Sequence, residues 1–135
     1  MGVTNFDEYR DVFVVADTID DVVHPVTYEL IGQARRIAKE LGQLVQVMLL
    51  GENVQSEAEE LVAHGADIVH VFESPLLKYY TTDGYTKVLT DFFEDHKPNI
   101  LLIGATNNGR DLAPRMSGRM KNGVVAELYH FDSRY

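Results

Sequence analysis

The 135-residue sequence contains no cysteine, so disulfides, thiolate metal sites and cysteine nucleophiles are excluded. It also lacks any apolar run of the length that crosses a bilayer, about 20 residues. Basic side chains are few, with 12 Lys and Arg against 21 Asp and Glu and a formal net charge of -9. Nucleic acid and anionic membranes both require a positive face, so neither is expected as a partner. A basic docking partner remains compatible with that charge. The opening Met1-Gly2-Val3-Thr4-Asn5-Phe6-Asp7-Glu8 is too acidic and polar for a secretory signal, and Phe6 stands where a myristoylation signal carries Ser or Thr. The cytoplasm is the expected compartment.

What is present is a regular alternation of short apolar runs and amphipathic stretches. Val12-Phe13-Val14-Val15-Ala16 is a continuous apolar run, the pattern of a strand covered on both faces. Leu30, Ile31, Ala34, Ile37, Ala38 and Leu41 then recur at helical spacing, with Arg35, Arg36, Lys39 and Glu40 on the other side. Thr27 is placed to cap that helix and Gly42 to end it. Val45 to Leu50 predicts a second strand, Ala58 to Val62 a short helix ended by Gly65, and Ile68 to Phe72 a third strand. Ser74 to Asp83 reads as a loop, Tyr85 to Phe93 as a helix, and Pro98 as its stop before a fourth strand, Ile100 to Gly104. A helix from about Asp111 to Met120 and a fifth strand opening at Gly123 complete the pattern. The fold class is therefore α/β, a three-layer parallel sheet with helices on both faces. In such sheets the ligand crevice lies beyond the carboxyl ends of the strands. Here that edge carries Ala16-Asp17-Thr18, Leu50-Gly51-Glu52 and the turn from Gly104 to Arg110.

That turn is the richest candidate site. Gly104, Thr106, Gly109 and Arg110 are its candidate cofactor-binding residues. The glycines allow close backbone approach, the following helix offers N–H groups to an anion, and Arg110 with Arg115 would add charge-assisted hydrogen bonds. The competing reading is a plain strand-to-helix turn whose arginines pair with Asp111, Glu127 or another chain. No P-loop is present, because Arg110-Asp111 stands where Lys-Ser/Thr would be needed. His24, His64, His70, His96 and His130 show no metal-ligand spacing. Thr106 and Ser117 lack a nucleophile elbow, and Asp17, Asp20, Asp21, Glu57, Glu59 and Glu60 read as solvated faces. No catalytic residue and no metal ligand is expected. Tyr79-Tyr80 with Tyr85 fits a helix flank packed on a neighbouring subunit better than a ring-stacking platform.

Several segments together resemble the electron transfer flavoprotein α subunit, the family that includes the FixB proteins. Val14-Val15-Ala16 followed by His24-Pro25-Val26-Thr27-Tyr28-Glu29-Leu30 resembles its first β-α unit, and Leu49-Leu50-Gly51 and His64-Gly65-Ala66-Asp67 match later landmarks in order. Lys97-Pro98-Asn99-Ile100-Leu101-Leu102-Ile103-Gly104-Ala105-Thr106, running into Gly109-Arg110-Asp111-Leu112-Ala113-Pro114-Arg115, is the strongest match. The stretch from Pro75 to Lys87 is similar to the anaerobic branch, which holds electron-bifurcating members. After Arg115 the chain departs from the family's Thr-Gly-Leu-Thr-Ala-Asp-like turn, reading Met116-Ser117-Gly118-Arg119, so contacts of that turn are not carried over.

The resemblance implies a nucleotide-α-hydrolase-like (HUP) domain over 11–135 after an extension of residues 1–10. It implies FAD in a complete αβ assembly, held by a C-terminal domain that this sequence does not include, and no cofactor for this chain alone. Ending at Tyr135, the domain would lack its closing strands. The implied partners are a β subunit, which binds AMP or a second FAD, and through the assembly an acyl-CoA-type dehydrogenase. This domain's own part would be scaffolding. The alternative is a stand-alone AMP- or ATP-binding domain of the universal-stress-protein type, although the glycine spacing after the fourth strand differs from that family's.

Overall fold

The computed structural model describes residues 9–120 and 123–128. In chain order the elements are β1 (Val12–Val15), β2 (Thr18–Ile19), β3 (Val22–Val23), α1 (Val26–Leu41), β4 (Val45–Gly51), α2 (Ala58–Ala63), β5 (Ile68–Glu73), α3 (Thr82–Asp95), β6 (Ile100–Gly104), α4 (Asn107–Arg119) and β7 (Val124–Leu128). Five of the strands form one parallel sheet in the order β5-β4-β1-β6-β7. β2 and β3 pair only with each other, as an antiparallel hairpin.

Side chains alternate across a strand, and the two faces of this sheet feed two separate cores. Val12, Val14, Val47, Leu49 and Leu102 face Leu30, Ile31, Ala34 and Ala38 of α1 and Leu61 of α2. Phe13, Val15, Met48, Leu50, Leu101 and Ile103 face Tyr85, Leu89 and Phe93 of α3 and Leu112, Ala113 and Met116 of α4. Every residue of β1 and β4 is buried, as expected of strands covered on both sides, and Gln46 is the one polar side chain of β4 to be buried. A fully buried Leu or Phe is worth about 1.5–3 kcal/mol, against about 1 kcal/mol for a good helix cap. Packing therefore holds the layers, and the caps decide where the helices begin.

Those caps correct three expectations. Thr27 does not cap α1: its buried side chain accepts from the N–H of Asp17 at 3.0 Å, tying the helix to the end of β1. Pro25 occupies the cap position instead, and His24 Nδ1 accepts from the Val26 N–H at 3.0 Å. α4 begins at Asn107 rather than near Asp111, because Thr106 Oγ1 accepts from the Gly109 N–H at 3.1 Å. The segment read as a loop from Ser74 to Asp83 holds a short 3-10 turn, Pro75–Leu77, that buries Leu77. Thr81 then caps α3 through the Gly84 N–H at 3.1 Å. Gly42 ends α1 with φ 66°, as its position suggested.

The chain runs outward from β1 through β4 to β5, then returns to the other side of β1 with β6. The strand order thus reverses between β1 and β6, which places a topological switch point at their carboxyl ends.

Candidate functional site

At the switch point, Asp17 follows β1 and the turn after Gly104 follows β6. The space between them is lined by Asp17, Tyr80, Tyr85, Gly104, Asn108 and Gly109 and has a volume of about 20 Å³. That is room for about one water. Tyr85, near the start of α3, fills the rest. Its hydroxyl lies 3.2 Å from the Leu50 carbonyl and 3.2 Å from Thr18 Oγ1, which itself donates to Leu50 O at 3.2 Å. Tyr80 meets the Tyr85 ring edge-on at 4.9 Å. Burial raises the Tyr85 pKa, and the Asp17 and Asp21 carboxylates raise it further against an opposing effect of the Thr18 hydrogen bond. Near neutral pH Tyr85 is thus a neutral plug and not a proton acceptor.

Three of the four candidate residues come together, and each has a contact within the fold. A Cβ on Gly109 would stand 1.7 Å from the Gly104 carbonyl oxygen. The close approach that this glycine permits is therefore that of α4 to its own preceding strand. A Cβ on Gly104 would come 3.3 Å from Val26 Cγ1, in the packing of α1 on β6. Thr106 spends its hydroxyl on capping, and Arg110 lies exposed on α4.

For Arg115 the hydrogen-bond partner differs from those of the plain-turn reading. Arg115 Nη1 donates to Asp83 Oδ1 at 3.2 Å. Asp111 instead accepts from the Tyr80 hydroxyl at 2.8 Å and from the Thr82 hydroxyl. These two bonds, Thr82's first, hold the Asp111 carboxyl below its ordinary pKa, while burial and then the Asp111 contact push the Tyr80 phenol up. The network pins the 75–82 segment to α4 beside the crevice.

Nor are all the acidic residues solvated faces. Asp21 accepts from the N–H groups of Glu52 and Asn53 at 2.9 and 3.1 Å, and Glu57 accepts from the Val23 N–H at 2.7 Å. Both brace the β2–β3 hairpin, whose turn residues Asp20 and Asp21 have φ 51° and 64°. Glu52 continues the rim to Lys78 at 3.6 Å.

This braced rim is apolar on its outside. Ile19 and Val22 are 59% and 61% exposed on the hairpin, and Leu76 and Tyr79 are 85% and 66% exposed on the neighbouring turn. Sequence reasoning missed the hairpin. Its signal was there in Thr18-Ile19 and Val22-Val23 flanking a two-residue turn, though Asp-Asp is a weaker turn former than Asn-Gly or Asp-Gly. Exposed apolar side chains gathered on one rim mark a contact surface. Among the described residues no group of three or more His, Asp or Glu is arranged to hold a metal, and no helix is long and apolar enough to cross a membrane.

Comparison with known proteins agrees with this geometry. The family model for the electron transfer flavoprotein domain matches residues 12–134. The electron transfer flavoprotein subunit alpha of Megasphaera elsdenii is 44% identical over 120 residues, covering 89% of this chain and 36% of that protein. LctC, a subunit of the lactate dehydrogenase (NAD(+),ferredoxin) of Acetobacterium woodii, is 44% identical over 119 residues, or 88% of this chain and 28% of that one. Protein FixB of Clostridium saccharobutylicum is 41% identical over 128 residues, or 95% and 38%. The chain spans roughly a third of the length of these curated relatives. Among solved structures, a universal stress protein in complex with cAMP aligns with a TM-score of 0.55 at 15% identity, over 90% of this chain and 98% of that one. The universal stress protein from Archaeoglobus fulgidus gives 0.57 at 16%, over 87% and 97%. The structural likeness shows the HUP-type α/β fold, and the match along nearly the whole sequence shows that the chain belongs to the electron transfer flavoprotein family, as an α-subunit domain.

Proposed function

We propose that this chain is the assembly domain of an electron transfer flavoprotein α subunit, with residues 11–135 forming its N-terminal α/β domain. In this reading the redox centre is FAD held elsewhere in the αβ assembly. The immediate partner is the β subunit, and the assembly passes electrons to or from an acyl-CoA-type dehydrogenase in the cytoplasm. The observation that carries the reading is the closed crevice at the switch point. Small-molecule and cofactor pockets measure about 300–1,000 Å³, whereas the space beside Tyr85 is about 20 Å³. Neither an isoalloxazine nor an adenine ring fits it. The same feature weighs against the universal-stress-protein alternative, which needs that crevice open for AMP or ATP. Gly104, Thr106, Gly109 and Arg110 accordingly belong to the architecture of the edge and not to a cofactor contact.

The exposed rim supplies what assembly requires. Ile19, Val22, Leu76 and Tyr79 would be covered by the β subunit. Replacing Ile19 and Val22 together by Asp is expected to weaken association with a purified β subunit at least about tenfold, or about 1.4 kcal/mol. Both side chains lie mostly in solvent, so the thermal unfolding midpoint should change little. Unaltered affinity, or no association of the parent chain with the β subunit, would sink the proposal.

A further inference from the structure

A second surface, away from the carboxyl edge, carries a different chemistry. Residue Gly32 sits in the interior of α1, is exposed, and a Cβ built on it would meet nothing within 4 Å. Glycine is disfavoured inside a helix relative to alanine, and no packing against the described residues accounts for it here. It lies in the wall of two adjoining surface grooves of about 600 and 560 Å³, one toward α2 and the other toward β7. Arg36, one turn on, lines both grooves, and Arg35 and Lys39 line the first.

Among the described residues these cations have no ion-pair partner, although the chain is acidic. With 21 acidic side chains against 12 basic ones, most cations should find a carboxylate nearby. Among the described residues, however, Arg35, Arg36 and Lys39 make no hydrogen bond or ion pair. The first groove is lined by one carboxylate, Asp67, which accepts from the Val45 N–H at 2.8 Å, and the second by Glu29. Arg35 also lies against the backbone of a neighbouring turn. Its stem lies across Gly65, where a Cβ would come within 2.2 Å of Arg35 Cδ, and Gly65 has φ 121°. Its aliphatic part thus rests on Gly65, while its guanidinium, the group suited to bidentate carboxylate recognition, has no partner among the described residues.

We propose that this face of α1 docks a carboxylate-rich segment of a partner polypeptide, whose backbone approaches at Gly32 while Arg35, Arg36 and Lys39 pair with its acidic side chains. The net charge of -9 favours a short acidic segment confined to this face over a nucleic acid, whose run of phosphates would extend onto the acidic remainder of the surface. The proposal does not depend on the carboxyl-edge reading.

The test titrates the full chain into a fluorescently labelled oligoglutamate peptide and follows anisotropy at several salt concentrations. Saturable binding that weakens steeply with salt is expected. Arg36→Glu should weaken it about tenfold, whereas Lys87→Glu, the same charge change on α3 beside Asp91, should have little effect. Gly32→Leu should also weaken binding without lowering the unfolding midpoint, since its side chain enters open space. Absence of saturable binding overturns the proposal, and so does equal loss in Arg36→Glu and Lys87→Glu. Self-association of the chain that Arg36→Glu abolishes would assign the face to a second copy and overturn it as well.

Discussion

Two glycines set the residue scale, because the same residue type answers opposite constraints. Gly109 is required by its own backbone, since a Cβ would stand 1.7 Å from the Gly104 oxygen. Gly109→Ala must therefore shift α4 away from β6. The expected cost is about 1–3 kcal/mol, the range for overpacked sites, read as a lower urea midpoint. Gly32 is required by nothing within the described chain, and Gly32→Ala should gain about 0.5–1 kcal/mol in the same assay through helix propensity alone. Sequence told these two apart poorly. Gly104 and Gly109 stood out by their position after a buried strand, and that position was right. Their role was not legible, because a glycine that admits a phosphate and one that admits a neighbouring carbonyl carry the same local pattern. Gly32 gave no signal beyond the letter itself.

At the element scale, strands were more legible than helix starts. β1, β4 and β6 are covered on both faces, so β1 and β6 are written as unbroken apolar runs and β4 as one interrupted only by Gln46. Helix starts depend on single hydroxyls, and Thr27 and Thr106 look alike in sequence while one ties α1 to β1 and the other caps α4. β5, at the sheet edge, is held partly by a polar chain. Gln46 Nε2 donates to Asp11 Oδ2 at 2.7 Å, leaving its oxygen 2.6 Å from His70 Nε2. His70 must therefore carry its proton on Nε2. Its ring is stacked on Phe13 and tilted against Phe92, with His96 6.1 Å away. Burial, and then His96, lower the His70 pKa from 6.5, so the folded state resists protonation that the unfolded chain accepts. This contribution to stability is present above about pH 6.5 and is lost as pH falls through the lower folded value. Urea midpoints should fall between about pH 7.5 and pH 5.5, and by less in His70→Phe. An identical fall in both proteins would remove His70 from the explanation.

At the scale of the whole molecule, the parallel sheet has a topological switch point at its carboxyl edge, and side chains leave about 20 Å³ of space there. The strand order β5-β4-β1-β6-β7 supplies a switch point, and Tyr85, Thr18 and Leu50 seal it with three mutual 3.2 Å contacts. The sealing residues come from three distant parts of the sequence. That is why the position of the crevice was readable before the structure and its closure was not. What remains outward is surface: an apolar rim on the hairpin side, and a face of α1 whose cations have no ion-pair partner among the described residues. The central claim is that this domain contributes surfaces and no cofactor site to its assembly. Isothermal titration calorimetry of the chain with FAD, AMP and ATP in turn tests it most directly. The expected result is no saturable heat for any of the three. Saturable binding of any of them at micromolar concentration, abolished by Arg110→Ala, would contradict it.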